Sequence, residues 1–555
     1  MGSYQRCNKM TDIHWGSSVP EGWNGEWPEE LLTVPEKTNY TRTSTHYDVL
    51  EYISKLTWKS EYMHVETMFI SDLRRASPLV ILSKPRVTKP EEATKPVVYL
   101  QGNIHPPEAE GKESLLMLMR DLALGKRDDL LENLVILIAP DFNPDGTETW
   151  TLRPTSSFCG TPHIQSSRHD AKDNDINRDG IKMETKSMKG LYENALNKWD
   201  PVITLDIHSM GRVMHAYSNL YAPSYTPTGH PGPRNYNQHT LLPGVRDMAK
   251  EKYGLMFHTH ADFNWEDWPP KVWDPVRAGY SVEAKFIVNA IGLRNRMSIL
   301  TETPGHVGFE KRIFACYGFA EALLDYTVEH GEEMIKVCKD ADEELVRNIK
   351  EKAETGELRN WVDGEYVAQD KPCDLWVYKS RQEEYIPGTS IIRHHLEDGP
   401  IQVKGVIDLT NPVGTKDSVV PRGYIFPEEL CEVAEKLKAH GITICQTEKP
   451  ITVEGYEFIV DVCREIDKGW IKLYHMTELK GSWHKTEKTY PSGSYHVDMA
   501  QPLANMAFYC LEPEVGDGLV GWNYFNNYLK SGGAENRSVV FPVFKYLKIQ
   551  EETDQ

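Results

Sequence analysis

The sequence predicts an α/β fold, with helices on both faces of a mixed central sheet, followed by a smaller α+β domain. Two observations lead to this prediction. In the first part of the chain, short apolar runs of strand length alternate with helical segments, and the runs are apolar at successive positions, as in strands that are buried on both faces. After about residue 357 the pattern changes to short β-rich runs with one clear helix, which predicts a separate domain.

The order of these segments supports the α/β assignment. A helix with Thr45 or Ser44 as its N-cap precedes the first strand, and a helix that stops near Gly125 follows it. A long helix at about 315–356 closes the domain. The runs predicted as buried strands are VVYLQG (97–102), NLVILIAP (133–140), PVITLDIHS (201–209) and SILTETPG (298–305). Such alternation of strands and helices is typical of an α/β sheet.

The chain has 555 residues, which is enough for about two to four folding units. The segment 426–441 has the clearest helix of the second half, with Pro427 near its start, Gly441 just past its end and one apolar face. We predict four regions: an N-terminal arm (1–45), the α/β domain (46–335), a helical or irregular connector (336–400) and an α+β accessory domain (401–555).

Composition excludes several classes of partner and site. The net charge of -20 argues against nucleic acid, which needs a basic surface. The nine cysteines form no CxxC pair and indicate neither a thiolate zinc site nor a disulfide scaffold. No apolar run reaches the roughly 18 residues of a membrane helix. The sequence does not decide the cellular compartment. We expect a secreted or periplasmic protein if a signal peptide was removed, and a cytoplasmic one otherwise. Nothing indicates the oligomeric state.

Residues that can bind a metal follow the ends of the predicted strands. His105 and Glu108 lie just beyond the first strand, His208 ends the third and Glu302 ends the fourth. In open α/β sheets, ligands bind at the carboxyl ends of the strands. Two imidazoles and one carboxylate leave a fourth position open to water, as in catalytic zinc sites. The sequence predicts one Zn²⁺ per chain, bound by His105, Glu108 and His208. Glu302 is predicted to be the base that accepts a proton from water.

Five motifs resemble, in order, those of the zinc carboxypeptidase A/B superfamily over about residues 60–330: HPPE (105–108), NPDG (143–146), DNDINRD (173–179), LDIHS (205–209) and LTET (300–303). The chain looks like a large bacterial-type member with an extra C-terminal domain, in which 490–525 is similar to a segment of such appended domains. The resemblance implies a zinc carboxypeptidase-like fold and a peptide or peptide-like substrate. It also implies the metal ligands His105, Glu108 and His208, and Glu302 as general base.

The same resemblance implies roles for five further residues. Asn177 and Arg178 would bind the terminal carboxylate of the substrate, and Arg168 would stabilise the oxyanion. Tyr280 would close over the substrate. Asp175 would accept a hydrogen bond from the first zinc histidine and fix its tautomer.

The chain departs from the family pattern at three aspartates. Asp170 and Asp173 stand where the family motif has Asn and Gly, which predicts a different loop backbone. Asp179 follows the Asn-Arg pair and is predicted to alter the carboxylate pocket. His258 and His260 alternate along a predicted strand like a second metal pair, but we interpret them as ordinary polar histidines.

Three functions are consistent with these residues. The first is a carboxypeptidase that removes the C-terminal residue of a peptide. The second is a zinc-dependent amidase or deacylase that acts on a non-standard peptide or an acylated amino acid, because the same metal, water and base cleave any amide. They differ in whether the substrate must carry a free α-carboxylate beside the cleaved bond. The third, a non-catalytic binding protein, is disfavoured because the metal ligands and Glu302 are all present.

Overall fold

The computed structural model describes residues 12–149, 162, 166–211, 214–264, 266–385, 392–396, 399–468, 474–531 and 539–550. An eight-stranded mixed sheet, the central sheet, organises the first part of the chain, in the order β1-β2-β4-β3-β5-β9-β6-β7. Its strands are β1 (Met63–Ile70), β2 (Ala76–Leu82), β3 (Val97–Gly102), β4 (Val135–Ala139), β5 (Ile203–Met210), β6 (Asn219–Pro223), β7 (Phe257–Thr259) and β9 (Met297–Pro304), while β8 (Val272–Trp273) lies outside it. The four predicted strands are the parallel centre, β4-β3-β5-β9.

Helices cover both faces of the central sheet. On β4, Ile136 and Ile138 belong to one apolar core with α2, α3 and α11, whereas Val135 and Leu137 belong to a second core with α6 and α10. Because successive strand residues point to opposite faces, burial on both faces requires an unbroken apolar run. The helices are α1 (Val34–Lys37), α2 (His46–Lys59), α3 (Glu110–Ala123), α4 (Asp128–Asn133), α5 (Pro144–Thr147), α6 (Lys186–Leu191), α7 (Asn197–Trp199), α8 (Pro231–Tyr236), α9 (Leu242–Tyr253), α10 (Ile287–Gly292) and α11 (Phe309–Lys352).

The second part of the chain is rich in β-structure. Its main sheet has the order β17-β20-β16-β22-β18-β19, and β21 pairs with β18. The smaller pairings are β10 with β15, β12 with β13, and β14 with both β11 and β8. The strands are β10 (Arg359–Val367), β11 (Cys373–Val377), β12 (Ser380–Tyr385), β13 (Ile392–Leu396), β14 (Ile401–Asp408), β15 (Asn411–Val419), β16 (Gly423–Phe426), β17 (Cys445–Gln446), β18 (Ile451–Lys468), β19 (Tyr474–Tyr490), β20 (Tyr495–Asp498), β21 (Val539–Val540) and β22 (Phe544–Ile549); the helices are α12 (Cys431–Ala439), α13 (Ala504–Leu511) and α14 (Asn526–Ser531).

Two features bear on the predicted division into four regions, which stays a prediction. The helix α11 runs without a break through residue 335, where the α/β domain was predicted to end. The strand β14 pairs with β8 of the first part, at Ile407 with Val272 and at Asp408 with Trp273. The two parts of the chain therefore share backbone hydrogen bonds as well as side-chain contacts.

No helix among the described residues is both long and apolar enough to cross a membrane. The cysteines in these residues are free, and three of them are buried: Cys316, Cys338 and Cys510. Burial raises the pKa of the Cys316 thiol well above its usual range, which favours the unreactive protonated form.

One buried histidine joins the two parts of the chain. His440 follows α12 and is fully buried, and its Nε2–H donates to the carbonyl of Ile181 at 2.8 Å. The guanidinium of Arg294 donates to the carbonyl of His440, also at 2.8 Å. Burial lowers the pKa of His440 to about 3, so the folded protein keeps this imidazole neutral.

The neutral state of His440 predicts acid sensitivity. Its folded pKa lies below the value of about 6.5 in the unfolded chain, so the unfolded state takes up a proton first as the pH falls. The contribution of His440 to the free energy of unfolding is fully present above pH 6.5. It decreases by about 1.4 kcal/mol per pH unit as the pH falls from 6.5 toward 3. We expect the midpoint of thermal unfolding to fall less steeply below pH 6.5 in His440→Asn than in the wild type. Equal slopes in the two proteins would contradict this assignment.

Candidate metal centre and substrate cavity

Three side chains that can bind a metal meet at the carboxyl edge of the central sheet. One possible ligand atom from each of His105, Glu108 and His208 lies within 4.8 Å of the other two. Both His105 and Glu108 are in the turn after β3, where the amide of Glu108 donates to the carbonyl of His105 at 2.8 Å. The strand β5, which carries His208, is the parallel neighbour of β3. All three side chains are almost completely buried, so a charge placed between them would be shielded from water.

The hydrogen bonds of the two histidines orient one ring nitrogen of each toward this point. Nε2 of His105 lies 3.0 Å from Asp175 Oδ1, and its Nδ1 lies 3.1 Å from Glu108 Oε1. Nε2 of His208 lies 2.9 Å from Asp206 Oδ2, which leaves Nδ1 beside Glu108 at 2.9 Å. A carboxylate behind each imidazole is the usual support of a metal-binding histidine. Two Nδ1 atoms and one carboxylate therefore fit a zinc ion.

The partner of His208 was missed in the sequence. Asp206 is completely buried and accepts a hydrogen bond from Gln101 Nε2 at 2.9 Å, and Gln101 in turn accepts from the Tyr99 hydroxyl at 2.8 Å. A signal was present, because Asp206 precedes His208 by two positions on a strand and so lies on the same face. The hydrogen bonds from Tyr99 to Gln101 and from Gln101 to Asp206 hold the carboxylate that orients the His208 ring.

Asp175 and Arg168 are the charged neighbours of the His105 side of the metal-binding group. Burial raises the pKa of Asp175, but the charges of Arg168, His105 and Arg178 oppose it more strongly and hold that pKa well below its usual range. Arg168 donates from Nε to Asp175 at 3.1 Å and from a terminal nitrogen to Glu108 at 3.0 Å. Asp175 is thus an ionised acceptor for His105, and Arg168 lies directly beside the metal-binding group.

These supporting carboxylates predict measurable effects on metal affinity. We expect Asp175→Asn and Asp206→Asn each to weaken zinc binding by about 10- to 100-fold, because each histidine loses the carboxyl group that fixes its tautomer. Competition with a chelator of known affinity measures this directly. Asp170→Asn is a matched control, because Asp170 accepts its hydrogen bonds from Lys172 and Asn174 rather than from a metal-binding histidine. A zinc affinity equal to wild type in both variants would contradict the assignment.

Glu302 lies beside the metal-binding group on the neighbouring strand. It is paired with His208 across β5 and β9, and its Oε2 has no hydrogen-bond partner in the described chain. Burial, with a further contribution from the carboxylate of Glu108, raises the pKa of Glu302 to about 8, although His208 opposes the shift. A carboxyl group whose pKa is near neutrality can both accept and return a proton.

The predicted residues border one cavity of about 460 Å³. Apart from Asp175, which lies behind His105, every predicted residue takes part in its lining: His105, Glu108, Arg168, Asn177, Arg178, His208, Tyr280 and Glu302. The lining also contains residues that the sequence did not point to, and four of them are Met210, His260, Phe286 and Leu300. Three of these are apolar, so the cavity combines a polar, metal-binding side with an apolar wall.

Asn177 and Arg178 form a short turn at the rim of the cavity. The side-chain oxygen of Asn177 accepts a hydrogen bond from the amide of Ile287 at 3.2 Å, which fixes its amide group. The guanidinium of Arg178 lies over the ring of Phe286, 4.4 Å from the ring centre. One terminal nitrogen of Arg178 donates to the carbonyl of Asn177 at 2.8 Å. A guanidinium has five N–H donors and can bind a carboxylate through two of its nitrogens.

Tyr280 and the two strand histidines are all packed. The Tyr280 side chain is 2% exposed and its hydroxyl donates to Asn289 Oδ1 at 3.1 Å, so its predicted movement over a substrate stays a prediction. Burial lowers the pKa of His258 to about 4 and that of His260 to about 3. Both imidazoles are therefore neutral, and His260 lies in the cavity wall.

The three aspartates that depart from the family pattern have structural roles. Asp173 has a φ of +65°, in the left-handed region that favours glycine, and its carboxylate lies 2.9 Å from His169 Nδ1. Asp170 accepts hydrogen bonds from two amides of the same loop. Asp179 was predicted to alter the carboxylate pocket, but it is outside the cavity lining: it is buried and accepts from the amide and hydroxyl of Thr185, the N-cap of α6.

Comparison with known proteins agrees with this geometry. Residues 49–268 match the zinc carboxypeptidase family. Carboxypeptidase 2 of Trichophyton rubrum is 24% identical over 496 residues, which cover 83% of this chain and 80% of that protein. Carboxypeptidase D of Mus musculus is 28% identical over 177 residues, 31% of this chain and 11% of that protein. The match to the fungal protein extends into the second part of the chain.

Two solved structures of metallo-carboxypeptidases are similar to about half of this chain. The metallo-carboxypeptidase of Burkholderia cenocepacia aligns with a TM-score of 0.37 and 16% identity, over 52% of this chain and 70% of that one. The metallo-carboxypeptidase of Pseudomonas aeruginosa aligns with a TM-score of 0.38 and 15% identity, over 53% of this chain and 71% of that one. The match of residues 49–268 identifies a zinc carboxypeptidase domain in this part of the chain, and the protein is a metallocarboxypeptidase-like hydrolase.

Proposed function

We propose that this protein is a zinc-dependent carboxypeptidase that removes the C-terminal residue of a peptide, with one zinc ion per chain and Glu302 as general base. One observation carries the proposal. A single cavity contains both a group of three metal-binding side chains and the Asn177–Arg178 pair that can bind a carboxylate. Hydrolysis of an amide next to a free carboxylate needs both elements in the same place.

Each part of the cavity has a distinct task in this reaction. Arg178 and Asn177 bind the terminal carboxylate, and the apolar wall at Phe286 and Leu300 receives the last side chain. This places the preceding amide beside the metal-binding group. When bound there, zinc supplies a Lewis acid that polarises the carbonyl and lowers the pKa of water.

Two side chains would handle charge and protons during cleavage. Glu302 accepts the proton of the attacking water and returns it to the leaving amine, a task that suits a carboxyl with a pKa near neutrality. Arg168, between Glu108 and Asp175, provides a fixed positive charge beside the developing oxyanion. Both side chains are positioned by the fold before the substrate enters, so little reorganisation is needed.

An amidase or deacylase would use the same metal-binding group. The cavity favours the carboxypeptidase, because an enzyme that ignores the terminal carboxylate has no use for the guanidinium of Arg178 in the lining. The names of the fungal relatives, carboxypeptidase 2, agree with this choice.

The test is a matched panel of peptides that differ only in having a free or an amidated C-terminus. We expect release of single C-terminal residues from the free peptides, at least about 100-fold slower reaction of the amidated ones, and one zinc per chain by elemental analysis. Equal rates on both sets would establish the amidase or deacylase instead. Protein that holds no zinc after metal-free purification and reconstitution would contradict the metal assignment.

A further inference from the structure

We propose that the second part of the chain positions the wall of the substrate cavity, through Tyr509 and Asp517. These two residues would be positioning residues for the peptidase, so the inference rests on the proposed function. They contact the segment 278–286, which we call the cavity loop. The surrounding segment, 490–525, is the one that sequence analysis singled out without a role.

The cavity loop supplies much of the wall that faces the substrate. Four of its residues line the cavity: Ala278, Gly279, Tyr280 and Phe286. Phe286 also stacks on the guanidinium of Arg178, so its position affects the residue that would bind the terminal carboxylate. A shift of this loop would therefore change the shape of the pocket and the orientation of Arg178 together.

Two successive amides of the cavity loop donate to the second part of the chain. The amide of Ala284 donates to the Tyr509 hydroxyl oxygen at 3.0 Å, and the amide of Lys285 donates to Asp517 Oδ2 at 2.6 Å. The Tyr509 hydroxyl itself donates to Asp517 Oδ1. Tyr509 is 5% exposed and Asp517 is 1% exposed, so both acceptors are largely buried. We call this pair of acceptors the clamp.

The clamp has a fixed geometry of its own. Tyr509 lies on α13, and the turn that follows brings the chain back, with the amide of Leu519 donating to the carbonyl of Cys510 at 3.2 Å. Gly518 in this turn has no room for a side chain, because a Cβ atom would lie 2.6 Å from the carbonyl oxygen of Tyr509. The turn therefore holds Asp517 against the Tyr509 hydroxyl.

The other anchors of the cavity loop come from the first part of the chain. Asn289 donates from its side chain to the carbonyls of Ser281 and Glu283, each at 2.9 Å, and Gly180 donates its amide to the carbonyl of Lys285 at 2.9 Å. These contacts hold carbonyl groups and leave the two amides to the clamp. A buried amide without an acceptor is costly, so removal of the clamp would favour a displaced loop.

The consequence for the peptidase is an effect on substrate binding. Neither residue of the clamp lines the cavity, so the clamp acts on the position of the cavity loop and not on the reacting atoms. Loss of an interaction that is equal in the ground and transition states raises KM and leaves kcat unchanged. A purely structural role in folding would instead lower the amount of active protein and leave KM as it is.

The variants Tyr509→Phe and Asp517→Leu, which remove the acceptor oxygens of the clamp, test it in the full-length zinc protein. We expect KM for a free C-terminal peptide to rise by about three- to tenfold in each, with kcat within twofold of wild type and an unchanged zinc content. We also expect faster hydrogen exchange of the amides of Ala284 and Lys285. Tyr546→Phe is the matched control, because Tyr546 is a buried tyrosine of the same part that bonds His496, away from the cavity loop.

Each result decides the proposal. A raised KM together with faster exchange at 284 and 285, both absent from Tyr546→Phe, supports the clamp. Unchanged exchange at these amides, or the same rise in KM in Tyr546→Phe, overturns it. If the wild-type protein cleaves no peptide, the proposed function fails on that result alone, and the exchange measurement still decides whether Tyr509 and Asp517 hold the cavity loop.

Discussion

Replacement of Glu302 by Gln is expected to reduce kcat by about 10²- to 10⁴-fold while the protein keeps its zinc. The side chain is nearly isosteric, so the cavity retains its shape, but the amide cannot accept a proton from water. Glu302 is not among the three metal-binding side chains, although it is adjacent to His208 across the sheet. The change should therefore separate proton transfer from metal binding. Turnover of a free C-terminal peptide and zinc content by elemental analysis are measured on the same preparation.

A suitable control for this variant is Glu310→Gln. Glu310 is on α11, and its carboxylate accepts a hydrogen bond from Trp23 rather than facing the cavity. We expect its kcat to equal that of the wild type. Wild-type turnover in a zinc-loaded Glu302→Gln protein would show that another group accepts the proton, and Glu302 would lose its assigned role.

The centre of the fold was predictable because burial on both faces leaves a simple pattern. The strand β4 has an unbroken apolar run, since its alternate residues enter two different cores. Polar residues directly after such runs are conspicuous, and parallel pairing brings their positions to one edge of the sheet. For this reason the amino-acid sequence alone was enough to predict that His105, Glu108, His208 and Glu302 lie together.

The remaining elements lack such a local signal. The outer strand β1 is half exposed, with an irregular order of buried and exposed residues, and β7 is only three residues long. The long hairpin of β18 and β19 carries many charged residues on its exposed side, which conceals its length. In the clamp, Tyr509 contacts Ala284, which lies 225 positions earlier in the chain. A single hydrogen bond between residues so far apart leaves no periodic pattern in the sequence.

The second large effect is expected at Arg178. Arg178→Gln should lower kcat/KM for peptides with a free C-terminus by about 10²- to 10³-fold, because the terminal carboxylate would lose a charged, two-point partner in a largely buried site. Peptides with an amidated C-terminus never make this interaction, so their slow reaction should not change. The variant would thus react with both kinds of peptide at similar, low rates. The measurement is the ratio of kcat/KM for the two peptides, compared between variant and wild type.

The ratio of kcat/KM for free and amidated peptides also shows whether the positive charge of Arg178 is enough or its planar guanidinium is required. Arg178→Lys keeps the positive charge but loses the planar fork, so we expect a value between those of wild type and Arg178→Gln. The exposed Arg277, just before the cavity loop and outside the cavity lining, provides the control for a general loss of positive charge. If Arg277→Gln lowers the ratio as much as Arg178→Gln does, long-range attraction would explain the preference for free carboxylates. If only the Arg178 variants lower the ratio, the guanidinium that stacks on Phe286 is the group that binds the terminal carboxylate of the peptide.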